Sequence, residues 1–150
     1  MDGKKYNCRL QGKYRLEETK ESNPIAVGDR VELLLDQDDA SITDIKPRAN
    51  HMLRQSVKKT GHSQVLAANV DQVLLIATLQ QPRTSLGFID RFLVSAESFR
   101  IPQILLFNKK DLFTAEDVIA IEELLQLYTS IGVVTFAISA REDEGIQGVK

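Results

Sequence analysis

Cysteine is nearly absent: Cys8 stands alone among 150 residues. One thiol excludes an internal disulfide framework and a cysteine-based zinc site within this stretch. A reducing cytoplasm is the natural setting. No apolar run approaches the roughly 20 residues of a membrane-spanning helix. The first residues, MDGKKYNCRLQGKYRLEE, are polar and charged, which excludes a secretory signal. There is no excess of either charge: 19 Lys and Arg stand against 21 Asp and Glu, a net charge of -2. A uniformly basic nucleic-acid binder is thereby excluded. What is present is a hydrophobic share of 43% and a charged share of 27%, enough to bury a core and stay in solution. The length suits one ordinary domain or two small ones.

The chain divides by rhythm and by charge. Residues 1–64 carry 12 basic and 10 acidic side chains, while residues 65–150 carry 7 and 11. Between Lys46 and Val70 there are five basic residues, two histidines (His51 and His62) and no acid. Such a local stripe bears more on nucleic-acid contact than net charge does. Short strands are expected at Lys5–Leu10, Lys13–Glu17, Arg30–Leu35 and Ala40–Ile45, separated by turn residues such as Asn23-Pro24 and Asp36-Gln37-Asp38-Asp39. Closely spaced strands of this kind predict a small antiparallel barrel over residues 1–64. Residues 47–64 lack periodicity and read as a loop or linker. Cys8 is expected to be a buried small side chain.

From residue 65 the pattern changes. Val70–Leu79, Ile101–Phe107 and Val133–Ile138 are mostly apolar runs that read as buried strands. Phe88–Phe99 shows helical spacing. A second helix is predicted from an N-cap at Thr114, with Asp117 three residues on, to about Tyr128. Strand, helix, strand, helix, strand argues for a parallel sheet with covering helices. The expected fold class is therefore mixed: a β barrel followed by a partial α/β parallel-sheet domain.

The strongest chemical signal is Asn108-Lys109-Lys110-Asp111, directly after the strand Ile101–Phe107. Ser139-Ala140 ends the next strand. Both loops thus lie at the carboxyl edge of adjacent parallel strands, where open α/β sheets bind ligands. The residue types suit guanine. Its ring N–H and exocyclic amine are two donors that the Asp111 carboxylate can accept together, and adenine cannot supply that pair. The aliphatic stem of Lys109 can lie over the base. Asn108 can tie neighbouring loops, and the Ala140 N–H can meet the guanine oxygen. A phosphate loop, G-x-x-x-x-G-K-[ST], is absent, since neither Gly3-Lys4 nor Gly12-Lys13 fits it. Half a guanine-nucleotide site is present, with no catalytic residue expected in this stretch. Arg30, Lys46, Arg48 and Arg54 are candidate contacts to RNA phosphates.

A guanine loop that follows a barrel, with no phosphate loop before it, resembles a circularly permuted GTPase. Several segments are similar to the family of ribosome small-subunit-dependent GTPase A: Val27-Gly28-Asp29-Arg30-Val31-Glu32, Ile45-Lys46-Pro47-Arg48-Ala49-Asn50, Leu53-Arg54, Ala68-Asn69-Val70-Asp71-Gln72, Ile89-Asp90-Arg91-Phe92-Leu93 and Asn108–Leu112. The resemblance runs from about Cys8 to Gly145. It implies an N-terminal OB-fold domain over residues 1–64 and the first part of a circularly permuted P-loop GTPase domain over residues 65–150. It also implies late small-subunit maturation, GTP or GDP with magnesium in the full-length parent, and zinc in a C-terminal domain outside this stretch. Expected partners are the small ribosomal subunit, its rRNA and a guanine nucleotide, with no membrane. Asn108, Lys109, Lys110, Asp111, Ser139 and Ala140 map onto the family's two guanine loops. The parent is expected to be a monomer in the cytoplasm. This stretch alone is expected to be inactive, to bind no cofactor tightly, and to tend toward swapping or aggregation through an open sheet edge. The alternatives are a non-enzymatic OB-fold rRNA-binding module and a purely structural docking domain.

Overall fold

The computed structural model describes residues 4–10, 24–36, 39–55 and 63–149. The chain separates into two compact units, Met1–Val70 and Asp71–Lys150. The expected boundary after residue 64 therefore falls inside a strand, and it moves to Val70.

The first unit is all-β among the described residues. Its strands are β1 (Cys8–Leu10), β2 (Val31–Asp36), β3 (Asp39–Ile45), β4 (His51–Gln55) and β5 (Ser63–Ala68). β2 and β3 form a hairpin, and β1 joins the other side of β3 in parallel. β4 and β5 pair antiparallel. This corrects the reading of residues 47–64 as a linker, because His51–Gln55 and Ser63 onward are ladder residues. A bulge between Met52 and Leu53 shifts the register and spoils the period-two signature. The predicted strand Lys13–Glu17 lies outside the described residues. Cys8 is exposed, which corrects the expectation of a buried thiol.

Gly28 locks this unit. It adopts φ +89, and a Cβ there would lie 2.0 Å from the Ala68 carbonyl oxygen. The Ala68 N–H donates to Val27 O (2.8 Å). Around that contact, the Asn50 amide accepts from Val70 N–H (2.7 Å) and donates to Val70 O (2.8 Å). Asn69 donates to Gly28 O and accepts from Ala49 N–H, both at 2.9 Å. Three of the segments singled out in the sequence thus meet in one hydrogen-bonded knot.

The second unit is α/β. Its strands are β6 (Val73–Ala77), β7 (Gln103–Phe107) and β8 (Val134–Ala137), in the order β6-β7-β8 and all parallel. The helices are α1 (Leu86–Ser98) and α2 (Ala115–Ser130). α1 buries Ile89, Leu93 and Ala96, a spacing that keeps one stripe on the sheet. α2 begins at a complete capping box, with the Thr114 side chain accepting from Asp117 N–H and the Asp117 carboxylate accepting from Thr114 N–H. It buries Ile121 and Tyr128, while Val118 is exposed. Leu75, Leu105 and Phe107 complete the core, each burial contributing roughly 1.5–3 kcal/mol. No helix among the described residues is long and apolar enough to cross a membrane.

Candidate functional site

β7 and β8 are paired from Ile104↔Val134 to Phe107↔Ala137, so the loops that follow them leave the sheet side by side. The ladder runs one residue further on each strand. Asn108 N–H donates to Ala77 O (2.9 Å), and Ile138 N–H donates to Phe107 O (2.8 Å). Lys109 then takes a left-handed conformation, φ 68 and ψ 38. That costs a residue with a side chain about 1–2 kcal/mol and is commonest at turns and functional sites. It turns the chain so that Lys110 N–H reaches Ile138 O (3.0 Å) and the short 3-10 turn Lys110–Leu112 begins.

Side chains then join the two loops. Asn108 Oδ1 accepts from Lys109 N–H (2.8 Å) and from Ala140 N–H (3.0 Å). Two backbone donors identify that atom as the oxygen, and among the described residues Nδ2 donates to no partner. Ser139 is fully buried. Its hydroxyl donates to Asp111 Oδ1 (2.6 Å) and accepts from Glu142 N–H (3.3 Å). Among the described residues no hydrogen bond goes to Asp111 Oδ2, so one carboxylate oxygen is oriented and the other open. Ser139 and Glu144 exchange both backbone hydrogen bonds (3.0 and 3.1 Å), and the Glu144 carboxylate reaches Lys110 Nζ at 2.5 Å.

All six residues expected on the guanine side, Asn108, Lys109, Lys110, Asp111, Ser139 and Ala140, therefore converge. The Ala140 N–H, expected to face the guanine oxygen, is engaged by Asn108 Oδ1. Glu142 and Glu144 were not foreseen, because only the closed turn brings them to Ser139 and Lys110. Nor was the segment after β6, whose Gln81 carbonyl accepts a hydrogen bond from the Lys109 ammonium.

The basic residues of the first unit fall into two pairs. Arg48 grips Asp29 with both arms, Nε to Oδ1 at 2.7 Å and Nη2 to Oδ2 at 2.9 Å. The Asp29 side chain is 1% exposed and that of Arg48 15%. The Arg48 hydrogen bonds hold the Asp29 carboxyl below the usual carboxylate range, against the opposing effect of burial. Lys46 pairs with Glu32 and lies 3.9 Å from Asp44. Lys46 and Arg48 are thus already balanced by carboxylates. Arg30 and Arg54 are exposed and have no carboxylate partner among the described residues. His51 sits half-buried in β4, and His62 lies outside the described residues. No group of three His, Cys, Asp or Glu able to hold a metal ion comes together among the described residues.

The RsgA GTPase family profile matches residues 45–150. The small ribosomal subunit biogenesis GTPase RsgA 2 of Bacteroides thetaiotaomicron is 42% identical over 150 residues, covering 99% of this chain and 48% of that protein. The corresponding GTPase of Cytophaga hutchinsonii is 42% identical over 151 residues, 97% of this chain and 48% of that one. The crystal structure of YjeQ from Thermotoga maritima superposes with a TM-score of 0.68 at 34% identity, over 95% of this chain and 46% of that chain. The structure of YloQ, a circularly permuted GTPase, gives 0.61 at 28% identity, over 91% and 43%. The chain spans about half the length of the curated relatives it matches. It belongs to the RsgA GTPase family.

Proposed function

We propose that the Asn108–Asp111 and Ser139–Ala140 loops read a guanine base, and that the protein acts as a GTP-binding and GTP-hydrolysing factor in small ribosomal subunit biogenesis. The observation that carries this is the Asp111 carboxylate. Ser139 orients one oxygen and leaves the other open. A carboxylate so held accepts both the ring N–H and the exocyclic amine of guanine as charge-assisted hydrogen bonds. Asn108 Nδ2 supplies a donor for the acceptor edge of the same base, its N7 and O6. The Ala140 N–H would meet the base oxygen only by sharing or releasing Asn108 Oδ1.

The residues described here fit the base and not the metal. A magnesium ion on GTP phosphates needs oxygen ligands from a phosphate loop, and zinc needs a ligand cluster. The sequence has no phosphate loop, and no such cluster comes together among the described residues. Hydrolysis is therefore proposed for the chain at the full length of its relatives, where phosphoryl transfer is positioning plus electrostatic stabilisation. For the first unit, read as an OB-type domain, the proposal is contact with rRNA through Arg30 and Arg54, supported by their exposure and by the lack of a carboxylate partner among the described residues.

Asp111→Asn in a chain of that full length tests the assignment. GDP affinity should fall about 30-fold, the cost of hydrogen bonds to a charged group. Affinity for RNA should not change. If GDP affinity survived the substitution, the guanine assignment would be wrong, and a non-enzymatic RNA-binding module would be the better account.

A further inference from the structure

The segment between β6 and α1 is closed on itself. Thr84 N–H donates to Thr78 O (2.9 Å), and Thr78 N–H donates back to Thr84 Oγ1 (3.1 Å). The Thr78 hydroxyl donates to Pro82 O. Three hydrogen bonds thus fix a seven-residue loop, with Gln81 held at φ +51. The exposed carbonyl of Gln81 accepts from the Lys109 ammonium. A second, longer link runs from the Gln80 amide to Asp117 Oδ1 (3.4 Å), at the start of α2.

We infer that the 78–84 loop is a positioning element for base recognition: it tethers the Lys109 ammonium through Gln81 O, with Thr78 and Thr84 holding the loop in the shape that presents this carbonyl. The inference rests on the guanine reading of the Asn108–Asp111 loop and adds residues to it. A free lysine stem has many rotamers to lose when it is ordered. A slack stem makes a poor wall for a flat base. Here the stem is fixed at both ends, by the left-handed backbone of Lys109 and by the Gln81 carbonyl. The ordering is done before the base arrives, and preorganisation of this kind raises affinity by lowering the entropy lost on binding.

The test is a double-mutant cycle on GDP affinity, measured calorimetrically in the chain at the full length of its relatives. Lys109→Met keeps an aliphatic stem and removes the tether. Thr84→Val keeps the shape and removes the acceptor for Thr78 N–H. Each should weaken GDP binding by about three- to tenfold. Thr84→Ser should restore wild-type affinity. The double variant should bind no more weakly than Lys109→Met alone, because without the ammonium the loop has nothing to hold. Additive losses, or wild-type affinity in Lys109→Met, would overturn the inference. Should Thr84→Val fail to fold, Lys109→Met decides alone. Asp111→Asn in the same assay separates the two ideas. If it leaves GDP affinity unmoved, the guanine reading has failed. If it lowers affinity while Lys109 and Thr84 show no coupling, only the tether has failed.

Discussion

Arg48 is the side chain whose role changes most between sequence and structure. Its guanidinium lies in a two-armed pair with a carboxylate that is 1% exposed. Removing one partner of such a pair leaves a buried, unmatched charge, which costs far more than the pair itself contributes. Arg48→Met should therefore destabilise the first unit by about 3 kcal/mol in chemical denaturation. The acid side carries a second signature. The Asp29 carboxyl is lowered from 3.8, so in the window below 3.8 the unfolded chain binds more protons than the folded one. Its contribution is full above that value and is lost as pH falls through the lowered folded value. Without Arg48 the largest lowering influence is gone and only the Ala26 N–H and His51 still oppose burial, so the Asp29 carboxyl shifts upward and acid unfolding of Arg48→Met should begin at a higher pH. An acid titration followed by circular dichroism reads this, and an unmoved acid midpoint would contradict it. None of this was visible in the sequence, because Asp29 and Arg48 are 19 residues apart and only the Gly28 knot brings them together.

At the scale of elements, helices α1 and α2 are tied to each other as well as to the sheet. The Tyr128 hydroxyl, from a side chain 3% exposed, donates to Asp90 Oδ1 at 2.9 Å. Burial and then the Asp90 carboxylate push the Tyr128 phenol up from 10.0 to about 12. Between those values the folded chain holds a proton that the unfolded chain has lost, so stability falls as pH rises. Tyr128→Phe should cost about 1 kcal/mol at neutral pH and should flatten the decline between pH 10 and 12. Denaturation curves at neutral pH, pH 10 and pH 12 check both. The elements that were legible are those with local causes. The Thr114 capping box is written within four residues, and the apolar stretch Ile104–Phe107 of β7 leads straight into Asn108. β4 was not legible, because the bulge after Met52 breaks the alternation on which strand reading depends.

At the scale of the whole molecule, an all-β unit precedes a parallel α/β unit whose carboxyl edge gathers two loops. That order was legible from the change in hydrophobic rhythm near residue 65, although the boundary itself lies at Val70. The six loop residues were legible because each loop is contiguous and follows a buried strand. Their supports, Gln81 through its backbone and Glu144 through its turn, were not, since both depend on the closure of other segments. The second unit also leaves Leu74 and Ile76 of β6 46% and 59% exposed, on the sheet face opposite its helices.

The measurement that bears most directly on the central claim is the ratio of GDP to XDP affinity, for the unaltered protein and for Asp111→Asn, each at the full length of its relatives. Xanthine carries a carbonyl where guanine carries the exocyclic amine, so it asks for a donor where guanine offers one. A carboxylate at residue 111 repels that carbonyl, and an amide satisfies it. The expected result is a preference for GDP that inverts to a preference for XDP on substitution. A gained affinity of this kind cannot arise from misfolding. A ratio that stays the same in both proteins would contradict the account.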